Sequence, residues 1–152
     1  MDEGRIEKLN GAQERKGSFV LYWMQASQRA CDNFALEFAL GEARRLKLPC
    51  VVCFGLTSSY PGANLRHLRF MLEGLAETEE RLAARKIGFV LRLGEPDEVA
   101  ISLSRKAALA VVDCGYTRIQ RRWRRKAALS MECPLFEVES DAVVPVKIAS
   151  QK

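Results

Sequence analysis

Five short apolar runs, each but the last followed by a segment of helical spacing, constrain this chain more than any other feature. They cover residues 19–24 (FVLYWM), 50–54 (CVVCF), 88–93 (GFVLRL), 108–114 (ALAVVDC) and 134–140 (PLFEVES). Strands apolar on both sides belong to a parallel sheet covered by helices on both faces. The expected fold is therefore α/β: a doubly wound five-stranded parallel sheet with helices on both faces, its order expected as 3-2-1-4-5. The intervening helices are marked by their own chemistry. Residues 33–46 form one, ending before Pro49, and residues 64–86 another, with Leu68, Met71, Leu72, Leu75 and Leu82 at 3–4 spacing and Glu79 interrupting them. Gly94-Glu95-Pro96-Asp97 opens a third, with Pro96 suited to a first turn. Thr117 caps a fourth, RIQRRWRRKAALS. Residues 5–9 are expected as a loose helical turn, and DAVVPVKIASQK (141–152) as an extended, Pro-interrupted tail.

A chain of 152 residues, 48% apolar and 28% charged, suits one domain with a real core. No apolar run approaches the ~20 residues that span a bilayer. The polar start, MDEGRIEKLNGAQERKGS, has no apolar signal region, so a cytoplasmic location is expected. The net charge of +5 permits contact with nucleic acid without demanding it. Of the five cysteines, Cys50 and Cys53 form C-x-x-C, but on a strand residues three apart point to opposite faces, roughly 10 Å from one another. Buried, reduced thiols follow. His67 is the only histidine, so no His-Cys metal set is expected.

In such sheets ligands lie beyond the carboxyl ends of the strands, where the strand order reverses. That rule brings Trp23, Met24 and Gln25 from one side together with Asp113, Cys114 and Gly115 from the other, and Arg118 at the next helix start. Neither G-x-G-x-x-G nor G-x-x-x-x-G-K-[ST] is present, so a nucleotide would lack its usual backbone cradle. Asp113 has three readings at this stage: acid–base group, helix cap, or partner for Arg118. RRWRRK, from Arg121 to Lys126, is the densest basic run and suits phosphate contact with stacking. Ile119, Trp123 and Ala127 recur every four residues, however, which places Trp123 in a buried stripe with the arginines facing water.

YWMQASQRACDNFALEFA resembles the first strand and helix of class II DNA photolyases, which carry Y-W-M-x-x-x-Q-R-x-x-D-N-x-A-L. Tyr22, Trp23, Met24, Gln28, Arg29, Asp32, Asn33, Ala35 and Leu36 match that pattern. The likeness continues in order through RFMLEGLAETE, LRLGEPDE, VVDCGYTRIQRRW and FEVESDAVVPV. Two segments depart from it: ESDAVVP stands where the family often reads D-x-H-N, and DCGYTR replaces a D-F-S-P-L-R-like stretch.

The resemblance implies an N-terminal photolyase domain at residues 18–140, a Rossmann-like five-stranded α/β unit, with a polar segment at 1–17 and at 141–152 the start of a linker to a helical domain. That C-terminal domain holds FAD and the flipped pyrimidine dimer, and light-driven electron transfer from reduced flavin splits the dimer there. Its absence from these 152 residues implies that the chain alone does not repair damaged DNA. Some family members hold an antenna chromophore, such as a deazaflavin, in the α/β domain. The implied contacts are Trp23, Met24, Gln25, Asp113, Cys114, Gly115 and Arg118. Surface left uncovered by the helical domain would favour a dimer. Two other readings remain open, a stand-alone nucleotide-binding module and a DNA-binding domain working through Arg121 to Lys126.

Overall fold

The structure is a computed structural model and describes residues 3–149. The chain enters through a 3-10 turn (Glu3–Arg5) and a three-residue strand, β1 (Ile6–Lys8). There follow β2 (Phe19–Trp23), α1 (Phe34–Leu46), β3 (Cys50–Leu56), α2 (Leu65–Ala84), β4 (Gly88–Leu93), α3 (Pro96–Ser104), β5 (Ala107–Asp113), α4 (Arg118–Ser130), β6 (Leu135–Val138) and a single turn, α5 (Val146–Ala149). The sheet runs β1-β6-β5-β2-β3-β4. Counted alone, its five parallel strands have the expected order 3-2-1-4-5.

Two expectations need correction. Residues 6–8 are a strand, not a helical turn: β1 pairs antiparallel with β6, Ile6 opposite Val138 and Lys8 opposite Phe136. The described part of the tail forms a helical turn at Val146–Ala149 rather than running extended, although Val143, Val144, Val146 and Ile148 remain exposed. It is tied down by the Arg5 guanidinium, which donates to the carbonyls of Ala142 (2.8 Å) and Val143 (2.6 Å).

Alternation along the strands divides the core into two layers. Val20, Tyr22 and Met24 of β2 and its exit pack with Leu36, Ala39, Leu75 and Leu82 of α1 and α2. Leu21 and Trp23 pack on the other face with Ala100, Trp123 and Ala127 of α3 and α4. Cys50 falls in the first layer and Cys53 in the second, both as free thiols whose pKa burial pushes up to about 12. Cys31, by contrast, is exposed. Every residue of the central β5 is buried, whereas β4 forms an open edge.

Local chemistry sets the helix ends. The Asn33 side chain accepts from the Leu36 N–H, and Lys47 closes α1 in the left-handed region at φ 56°. Thr117 and Gln120 form a reciprocal capping box at the start of α4. Gly55 allows β3 to meet α3 directly, since a Cβ there would lie 2.6 Å from Pro96 Cα.

Candidate ligand-binding site

Past its last strand residue, β2 runs into a turn whose backbone N–H groups converge on one carboxylate. Asp113 Oδ1 accepts from Gln25 N–H (2.7 Å), and Oδ2 accepts from Ala26 (2.5 Å) and Ser27 (2.6 Å). Successive N–H groups of this kind bind phosphate in many α/β folds. Here an internal side chain fills them. Asp113 is fully buried, which raises its pKa, and the three N–H donors pull against that rise.

The rest of the turn is equally self-contained. Asn33 Nδ2 donates to the Tyr22 hydroxyl (2.9 Å) and to the carbonyls of Ser27 and Arg29 (both 3.1 Å). Ser140 Oγ accepts from Ala35 N–H, while Asp141 accepts from Ser27 Oγ (2.9 Å) and pairs with Arg29 (3.0 Å). Ser140 and Asp141, which depart from the family pattern, thus fasten the first helix to the end of β6.

Beside this turn a cavity of about 570 Å³ opens over the ends of β2 and β3. Met24, Gln25 and Phe54 form its floor. Leu68 and Met71 of α2 line one wall, Pro96 and Trp123 the other, and the 57–63 loop lies over it. That loop turns at Tyr60-Pro61-Gly62-Ala63, with Gly62 at φ 77° and the Ala63 N–H donating to the Tyr60 carbonyl (3.0 Å). The Tyr60 ring sits 6.1 Å from that of Trp123 at 49°. Gln28, Thr57, His67 and Gln120 add polar groups to this mainly apolar space, and the Gln25 amide is the one left buried and unpaired among the described residues of its lining. It is 7% exposed, and neither Oε1 nor Nε2 has a hydrogen-bond partner.

Of the seven residues implied to contact a ligand, Met24 and Gln25 line this cavity. Trp23 is fully buried beneath it, its indole N–H without a partner. Asp113 clamps the turn from below. Gly115 is buried against the Gln120 side chain, which would lie 2.4 Å from a Cβ at that position. Cys114 lines a second cavity, and Arg118 stands exposed at the start of α4. Tyr60, His67, Met71 and Trp123 join the first cavity from segments the strand-end rule does not reach. Trp123 and Met71 carried a signal, through their places in apolar stripes of helical spacing. One arginine departs from the expected solvated face: Arg124 is buried and paired with Glu137.

Glu95, the residue before α3, secures the overlying loop. It accepts from Thr57 Oγ1 (2.7 Å) and Ser59 Oγ (2.8 Å), and these bonds lower its pKa. A lowered carboxylate pKa stabilises the fold above its ordinary range, and the contribution is lost as pH falls through the lowered value. The Glu95→Gln variant should melt about 1–3 °C below the parent at neutral pH, the pair being partly solvated. That gap should close on acidification towards pH 3. A gap independent of pH in thermal unfolding would count against the clasp.

No helix among the described residues is long and apolar enough to cross a membrane. The DNA photolyase family model matches residues 20–152. The deoxyribodipyrimidine photo-lyase of Methanothermobacter thermautotrophicus is 46% identical over 149 residues, covering 97% of this chain and 34% of that protein. The enzyme of the same name from Potorous tridactylus is 33% identical, over 92% of this chain and 27% of its own. The chain therefore spans about a third of the length of these curated relatives. Among solved structures, the universal stress protein from Archaeoglobus fulgidus in complex with dAMP superposes with a TM-score of 0.55 at 15% identity, covering 82% of this chain and 99% of that one. UspA from Lactobacillus plantarum gives 0.56 at 12%, covering 82% and 99%. These two likenesses concern the fold, whereas the family match covers residues 20–152 and includes the strand-end turn. The chain belongs to the DNA photolyase family.

Proposed function

We propose that these residues are the N-terminal α/β domain of a class II photolyase, and that the cavity under the 57–63 loop holds a flat antenna chromophore of the deazaflavin type. The observation that carries this reading is the Gln25 amide, buried without a partner in a cavity lined mainly by apolar side chains. Such a group is costly unless something pairs with it. A primary amide offers a donor and an acceptor side by side, which match the C=O and N–H edge of a pyrimidinedione ring. The cavity volume lies within the range of small-molecule sites. Tyr60 and Trp123 supply aromatic surface, and Met24 and Met71 adaptable apolar surface beside it.

When bound, such a chromophore absorbs near-ultraviolet or blue light and passes the excitation to FAD. In this reading FAD and the dimer-containing DNA belong to a C-terminal helical domain outside these 152 residues, and the whole protein works in the cytoplasm. The chain alone is then a scaffold and antenna domain without dimer-splitting activity. A nucleotide at the switch point is the rival occupant. It is disfavoured because Asp113 already fills the N–H groups that a phosphate would use.

Reconstitution with a deazaflavin should shift the near-ultraviolet to blue absorption of the ligand and raise the melting temperature. Gln25→Leu removes the amide at similar volume. It should weaken binding about tenfold or more while leaving the unliganded melting temperature equal or higher. An unchanged ligand spectrum with the parent chain, or undiminished affinity in the variant, would remove the chromophore from this cavity. Light-dependent repair of a thymine dimer by the 152-residue chain would overturn the claim that it is inactive alone.

A further inference from the structure

The basic run of α4 does not act as one patch. Trp123 enters the core and Lys126 pairs with Asp97 (3.1 Å) and Glu98 (3.0 Å) of α3. Arg121, Arg124 and Arg125, at positions i, i+3 and i+4, share one helix face. They line a second cavity of about 530 Å³, on the side of α4 towards β6 and β1.

Like charges at this spacing repel, and their repulsion is relieved only where a counter-charge meets them. Neither Arg121 nor Arg125 forms an ion pair among the described residues. Arg124 is 6% exposed and donates through Nε to Glu137, yet its Nη1 is buried with no partner. The carboxylates on the opposite wall are already committed. Glu137 takes Arg124, and Glu139 takes the Tyr116 hydroxyl and the Val146 N–H (3.0 Å). Glu7 has an interaction of its own. What remains unsatisfied in this cavity is cationic.

We propose that this cavity binds a phosphate monoester, with Arg121 and Arg125 at the rim and Arg124 at the floor. Guanidinium forks match the paired oxygens of a phosphate, which makes a cluster of three a preferred phosphate-recognition chemistry. Burial of Arg124 selects the form of the ligand. A terminal phosphate can reach a recessed guanidinium, whereas a phosphodiester within a stiff duplex stays at the surface. The site is separate from the cavity lined by Gln25 and does not depend on the chromophore assignment.

The experiment titrates the 152-residue chain with inorganic phosphate, with adenosine 5′-monophosphate, with adenosine, and with a duplex oligonucleotide lacking terminal phosphates. Binding is followed by ³¹P line broadening and calorimetry. The monophosphate and inorganic phosphate should bind and adenosine should not. The double variant Arg121→Gln/Arg125→Gln, which leaves Arg124 and Glu137 paired, should weaken phosphate binding at least tenfold. It should also melt at or above the parent temperature without phosphate, because it relieves the repulsion. No binding at tens of millimolar phosphate would overturn the proposal. So would undiminished binding in the variant, or tighter binding of the duplex than of the monophosphate.

Discussion

Replacing Asp113 with Ala is expected to destabilise the chain by about 3–5 kcal/mol, a fall in melting temperature on the order of 10–15 °C for this size. The carboxylate is fully buried and is the shared acceptor for the N–H groups of Gln25, Ala26 and Ser27. Truncation strands those donors, and each stranded buried donor costs about 1–3 kcal/mol, less whatever water recovers. The volume of the side chain matters less than its acceptors, and the isosteric variant separates the two. Asp113→Asn keeps a single carbonyl oxygen, which can take the place of Oδ2 and retain two of the three bonds. It should therefore fall between parent and Asp113→Ala in urea midpoint. Equal midpoints for parent and Ala variant would show that the turn is held by Asn33 and Asp141 instead. The same substitution should loosen the cavity floor, since Met24, Gln25 and Ala26 line it.

Asp113 also shows where sequence reasoning stops. Its position at a strand end is legible, because β5 is an uninterrupted apolar run that ends there. Its role is not, because the groups it binds are backbone N–H, which every residue but proline carries and which leave no mark on the sequence. The parallel strands were legible for a related reason: burial on both faces demands apolar residues throughout. β1 was not. Ile6–Lys8 is three residues long with Glu7 and Lys8 exposed, and becomes a strand through pairing with β6 rather than through its own pattern. His67 and Met71 reach the first cavity from α2, which packs on β4, and Tyr60 from the loop before that helix. No local spacing encodes that packing. Asn33 was legible as a match to the family pattern, and the structure gives it two tasks, capping α1 and bonding Tyr22 and the turn carbonyls.

Trp123 joins the two kinds of evidence, being placed in the buried stripe by a four-residue recurrence and in the cavity wall by the fold. Trp123→Ala is expected to cost about 3–5 kcal/mol, as truncation of a buried aromatic does. The indole packs among Leu21, Trp23, Ala100 and Ala127, and its loss opens a void that the close-packed sheet cannot collapse to fill. It also faces Tyr60 and contributes to the lowered pKa of Glu95, so the overlying loop loses a contact. Two measurements separate core from site. Trp123→Phe should recover most of the melting temperature, because a phenyl ring refills much of the void. Its recovery of deazaflavin affinity should be smaller, because the ring is shorter and lacks the indole N–H. Affinity measured well below each melting temperature removes unfolding from the comparison. If Phe restores stability and affinity to the same fraction, Trp123 acts only as core. If stability returns and affinity does not, the residue that looked like one aromatic within a basic run is a wall of the ligand site.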